Sequence, residues 1–121
     1  MIAVMRVNTS PRRKNAPRPA WKVATAFLQW LRGRPCAADG SLCTGKVVAA
    51  HVDHAGDKGM GTKVSDRHAI PLCEGHHARQ HSRGWMTFER ECLGGKSAVA
   101  MAKAYWLKWP GHIEWEAQND G

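Results

Sequence analysis

Two stretches decide how this chain folds: KVVAAHVDH at residues 46–54 and AIPLCEGHHARQH at residues 69–81. Lys46 to Val52 is rich in Val and Ala and reads as a strand. Ala69-Ile70-Pro71-Leu72 reads as a second short strand, and its proline, which has no N–H to donate, places it at an edge or a strand end. Glu74 to Arg83 reads as a helix closed by Gly84. The connection from Asp53 to Asp66 is polar and carries Gly56, Gly59 and Gly61, so it reads as a loop. Six of the seven His (His51, His54, His68, His76, His77, His81) fall between 51 and 81, and all four Cys between 36 and 92. Scattered surface His do not bunch in this way, whereas metal ligands do.

Working outward, Trp21, Ala24, Phe27, Leu28 and Leu31 recur at helical spacing, which predicts an amphipathic helix over Ala20 to Arg32, ended by Gly33 and Pro35. Cys36 to Cys43 is a short loop turning at Asp39-Gly40. Downstream, Thr87 to Cys92 reads as a short helix, and Ser97 to Trp109 as a longer one with Ser97 as cap and Pro110-Gly111 as stop. The last ten residues, Trp115 among them, give no assignment. Residues 1–19 hold Pro11, Pro17 and Pro19 among Arg, Lys, Asn and Ser, too little apolar material to fold, and read as a flexible basic arm. Residues 20–121 read as one α+β domain.

The length of 121 residues suits one small domain, and 43% hydrophobic with 23% charged residues is a globular composition. No apolar run approaches the roughly 20 residues of a membrane span, and no apolar stretch near the start resembles a secretory signal. The expectation is therefore a soluble, cytoplasmic protein with no membrane partner, whose Cys are metal ligands or thiols rather than disulfides. The net charge of +8 is unevenly placed. Residues 1–34 carry Arg6, Arg12, Arg13, Lys14, Arg18, Lys22, Arg32 and Arg34 with no acidic residue, while the remaining ten basic and ten acidic residues cancel. Nucleic acid is the natural partner for such an arm, because each neutralised phosphate releases counterions; a solvated tail is the other reading.

The spacing points to two metal sites. Cys36 and Cys43 precede the first strand, and Cys73 with His76 follows the second, so the pairs flank a hairpin and close one tetrahedral Cys3His site for structural zinc. Cys92 is then a packed residue, or the alternative ligand should Cys36 or Cys43 not take part. His77 and His81 lie four apart on one helical face, which suits two imidazoles on one divalent ion. His51 closes the first strand opposite them, with Asp53 and His54 just beyond. Such a site leaves one imidazole over to take a proton from water. Gly59-Met60-Gly61-Thr62-Lys63 reads either as a loop that approaches a phosphate, with Lys63 as a point charge, or as a turn with Met60 packed inward. Trp85, Trp106 and Trp109 are base-stacking or core residues.

These residues resemble the HNH endonucleases, whose shared unit is the ββα-metal finger. Leu72-Cys73-Glu74-Gly75-His76-His77 is similar to the family's Leu-Cys-x-x-Cys-His stretch, with His76 in place of the second Cys, and His81 adds a His-x-x-x-His form. Ala50-His51-Val52, residues 59–63, Ser65-Asp66, residues 70–81, and the stretch from Trp30 to Cys36 also look like the phage-encoded recombination-enhancement, RecA-dependent nucleases. The resemblance spans roughly residues 21 to 85. It implies a metal-dependent hydrolase cleaving DNA phosphodiesters to a 5′-phosphate and a 3′-hydroxyl, with His51 as general base. It further implies a structural zinc, a catalytic divalent ion (Zn, Mg, Mn or Ni) on His77, His81 and either Asp53 or His54, and DNA as partner. A RecA-type recombinase filament is a second candidate partner. Two departures stand out. Ala50, where many members have Asp or His, cannot bind metal; an alternative register makes Asp53 and His54 the ligand and base. The motif's middle Asn falls near His68 or is replaced by Asp66, which would orient the base. Both departures suit a competing reading, a non-catalytic zinc-stabilised DNA-binding module; a phage protein that modulates a host protein is a third.

Overall fold

A computed structural model describes residues 19–38, 43–55 and 64–119. The expected basic arm (apart from Pro19), the turn at Asp39-Gly40 and the 59–63 loop with Lys63 lie outside the described residues. The described chain is a mixed α/β unit in which five α-helices surround a two-stranded sheet. No helix among the described residues is long and apolar enough to cross a membrane.

Strands β1 (Val47–His51) and β2 (Ala69–Cys73) pair antiparallel, with Val47 opposite Cys73 and His51 opposite Ala69. The Glu74 N–H donates to the Lys46 carbonyl (2.9 Å) and the Val52 N–H to the His68 carbonyl (2.8 Å), extending the ladder by a residue at each end. These bonds fix its parity, so Ala49 and Pro71 face each other as a non-hydrogen-bonded pair. The missing proline N–H therefore falls on the outer edge of β2, where it costs no ladder bond. The Pro71 carbonyl on that edge accepts from the Ala37 N–H at 2.8 Å, so the segment after the first helix runs along β2.

Period-two alternation then splits the core. Ala50, Val52, Ile70 and Leu72 pack with Phe88, Cys92, Leu93, Ala98 and Ala102. Ala69, on the opposite face, packs with Ala24, Phe27, Leu31 and Trp106. Full burial of Phe27, Phe88, Leu31, Ile70 and Leu72 contributes roughly 1.5–3 kcal/mol each relative to exposure.

Helix α1 covers Thr25–Arg32 only. The predicted single helix from Ala20 is corrected to a 3-10 turn, Ala20–Lys22, followed by extended Val23 and by Ala24 at φ −142°. The reason is tertiary: Asp66 donates its N–H to the Lys22 carbonyl (2.9 Å) and accepts the Ala24 N–H on Oδ2 (2.8 Å), holding the backbone out of helical register. Helix α2 (Glu74–Arg83) follows β2 without a break, with Cys73 Sγ accepting from the His76 N–H as its cap. Helix α3 runs Trp85–Cys92, two residues earlier than expected, because Gly84 at φ 83°, ψ 158° reverses the chain in a single residue. In α4 (Ala98–Lys108) the Ser97 side chain accepts the Ala100 N–H, and Glu89 Oε2 takes the Ala98 N–H at 2.8 Å. Helix α5, His112–Asn119, forms over the last residues, for which the sequence pattern predicts no element.

Candidate functional site

Cys36 and Cys43 come from the segment before β1, Cys73 ends β2, and His76 lies in the first turn of α2. Their ligand atoms all lie within 4.8 Å of one another. His76 Nδ1 is 3.5 Å from Cys36 Sγ, 3.5 Å from Cys43 Sγ and 3.2 Å from Cys73 Sγ. One ring nitrogen carries at most one proton, so it cannot hydrogen-bond to all three sulfurs. Legs of about 2.3 Å to sulfur and about 2.0 Å to nitrogen give a tetrahedral S–N edge of about 3.5 Å, so the four residues fit zinc. The other ring nitrogen, Nε2, is buried with no hydrogen-bond partner among the described residues, and the ring lies edge-on to Phe88. The imidazole is thus committed to the sulfurs.

Electrostatics agree with a site completed by a cation. Local desolvation, with Cys36 and Cys73 alongside, pushes the Cys43 thiol up to about 11, although the residue as a whole is exposed. For Cys73, burial works upward, but hydrogen bonds from the His76 and Thr44 backbones and from the His76 and Cys36 side chains outweigh it and bring the thiol down to about 6. One sulfur is thus an anion at neutral pH, while the next resists ionisation until positive charge arrives. Cys92, the alternative ligand, is buried in the core and is not a member of this group.

Toward the other end of the hairpin, where β1 finishes, Ala49, His51, Asp53, His77 and His81 line a cleft of about 240 Å³. His77 Nε2 and His81 Nε2 are 3.2 Å apart. Two imidazoles on one ion at about 2.0–2.1 Å are spaced about 3.0–3.4 Å apart, and one shared proton gives a similar spacing. Burial, then the nearby His81 and His51, lowers the His77 pKa and favours the neutral, ligand-competent ring. Among the described residues, the Cys3His set is the group of three or more donors within 4.8 Å of one another; His51, Asp53, His77 and His81 stand too far apart to form a second.

His51 is half-buried at the end of β1, and its Nε2 lies 2.9 Å from Oδ1 of buried Asp66. A carboxylate accepts, so Nε2 carries the proton and Nδ1 keeps a lone pair. Asp66 is itself fixed by its bonds to Lys22 and Ala24. Of the two further ligand candidates, Asp53 lines the cleft, whereas His54 does not: its Nε2 is 3.8 Å from Glu89, beside Trp85. Ala50 is buried in the core. His68, the other residue at the expected Asn position, lines a separate cavity of about 600 Å³ with Trp21, Arg67 and Lys103.

Of the tryptophans weighed as base-stacking residues, Trp106 is buried and Trp85 and Trp109 are half-buried, all packed against core residues; Trp21 is the one with substantial exposure. Sequence reading also missed a cluster next to Asp66. Arg67 places its guanidinium 4.7 Å from the Trp106 ring centre and 5.3 Å from that of Trp115. Glu116 Oε2 accepts from Trp106 Nε1 at 2.6 Å and lies 3.5 Å from Arg67 and 3.3 Å from His112. The hydrogen bond from Trp106, then His112 and Arg67, hold the Glu116 carboxyl below its usual range against local desolvation. No motif announces this group; the one hint is the number of Trp near the C-terminal end.

No solved structure matches this chain significantly. A stretch of 60 residues, 50% of this chain, is 34% identical to the uncharacterized protein YdfU of Escherichia coli strain K12 and covers 16% of that protein. The family model described as Protein of unknown function (DUF968) matches residues 2–104, most of the sequence, and the chain belongs to that family.

Proposed function

We propose that this protein is a metal-dependent endonuclease of the HNH type, in which β1, β2 and α2 form the ββα-metal finger, and that its substrate is DNA. The observation that carries the reading is His51, held by buried Asp66, in a cleft whose other polar walls are Asp53, His77 and His81. Water gives its proton to His51 Nδ1 as its oxygen attacks the phosphorus, and the Asp66 carboxylate stabilises the imidazolium that forms. The P–O3′ bond breaks, and the departing O3′ takes a proton from solvent, leaving a 5′-phosphate and a 3′-hydroxyl. A divalent ion, when bound to His77, His81 and Asp53, supplies Lewis-acid polarisation of the phosphate and stabilises the departing oxygen. The structural zinc ties the segment before β1 to the start of α2 and so fixes the helix that presents His77 and His81. The basic excess of residues 1–34 supplies non-specific attraction to the backbone.

The test is nicking of supercoiled plasmid with Mg, Mn, Ni or Zn, alone and with RecA filaments. His51→Ala should lower the rate by roughly 10²–10⁴-fold, the usual contribution of a general base, with zinc content unchanged. Undiminished nicking by His51→Ala refutes the assignment of the base. The openness of the histidine cleft and the inert Ala50 favour a second reading, a zinc-stabilised DNA-binding module. It predicts salt-sensitive DNA binding with no cleavage under any of these metals.

A further inference from the structure

The geometry points to α5 as a clamp that sets the orientation of His51, with Trp115, Glu116 and Arg67 as positioning residues. This inference rests on the nuclease reading for its catalytic consequence, but not for its geometry.

Asp66 holds the His51 ring, and Asp66 sits between two short segments. On one side its N–H and Oδ2 bind Lys22 O and Ala24 N. On the other side, Arg67 follows it directly in the chain. Helix α5 grips both segments. Trp115 Nε1 donates to the Val23 carbonyl at 2.9 Å, midway between the two residues that bind Asp66. The Trp115 and Trp106 rings meet edge to face, the Arg67 guanidinium lies against both, and Glu116 Oε2 faces that guanidinium while accepting from Trp106. Two neighbouring residues of one helix thus pin the backbone on either side of the carboxylate that fixes the ring. No side chain of α5 lines the cleft itself, so its effect on His51 is indirect. The helix also lies beyond residues 2–104, the stretch the family model covers.

The bond to Asp66 shields the His51 ring N–H from water. In the full-length, zinc-loaded chain, NMR should give that proton a measurable solvent-exchange rate. The double variant Trp115→Phe/Glu116→Gln should exchange about tenfold faster, the scale of losing one hydrogen bond's net contribution. It should also nick DNA with a lower kcat and an unchanged KM. Ile113→Ser, on the exposed side of the same helix, should change neither. If the double variant does not fold, Trp115→Phe alone carries the test, because it keeps an aromatic ring beside Arg67 while removing the indole N–H that reaches Val23. Unchanged exchange in a folded variant overturns the clamp. Faster exchange in the variant of a parent that nicks nothing upholds the clamp and overturns the nuclease reading.

Discussion

Two thiols show how much a single residue's surroundings decide. Cys73 and Cys43 are chemically identical, yet one is brought down to about 6 and the other pushed up to about 11. For the metal-free chain the two shifts have opposite consequences. Cys73, depressed in the fold, contributes stability that is full above the ordinary thiol value of 9.0 and lost as pH falls through about 6. Cys43, raised in the fold, contributes stability that is full below 9.0 and lost as pH rises through about 11. Urea midpoints of the apo-protein should therefore rise from pH 6 to 9 and decline above it. A flat profile across that window would contradict the assigned environments. Zinc would remove the difference by binding both as thiolates, and Cys73→Ser should abolish stoichiometric zinc, as read by mass spectrometry of the native chain. All four members of this site were readable from spacing, because a Cys pair before a hairpin and a Cys-x-x-His after it have few other ways to converge. Asp66 was only one of two candidates for the partner of His51. Nothing in a sequence says which side of a loop faces the strand end.

Among the elements, the hairpin and α2 were legible because their chemistry is local: alternation, a proline, a cap and a terminal glycine. The first turn of the predicted Ala20 helix was not. Trp21, Ala24, Phe27, Leu28 and Leu31 do follow helical spacing, but Asp66, 42 residues after Ala24, draws the Lys22 and Ala24 backbone groups away from helical partners. Helix α5 escaped for the complementary reason. It buries no residue fully, and it is held by an indole N–H and a carboxylate rather than by an apolar stripe. Gly84 joins α2 to α3 at φ 83° and ψ 158°, a region nearly closed to residues with a Cβ. No atom lies near the position of an added Cβ, so backbone strain alone is at stake. Gly84→Ala should cost roughly 1–3 kcal/mol in chemical denaturation while leaving zinc content intact.

For the molecule as a whole, the Cys3His group, with zinc bound, would tie together segments that the thin core holds less firmly. A chelator that strips the ion should lower Tm and loosen the 43–46 segment and the start of α2 before the Phe88 cluster, which hydrogen exchange of individual amides can follow. Phe88→Ala, in contrast, should destabilise everything together by roughly 3–5 kcal/mol, because it leaves a cavity at the centre of the larger core. The outer edge of β2 bears on a different property. Pro71 has no N–H to offer there, its carbonyl is taken by Ala37, and the Cys73 N–H points to Cys36 Sγ at 3.3 Å. A sheet edge closed in this way gives a foreign strand no template. That protection against fibrillar stacking depends in part on Cys36, the same thiol that would ligate zinc; oxidation that withdraws Cys36 would free the Cys73 N–H.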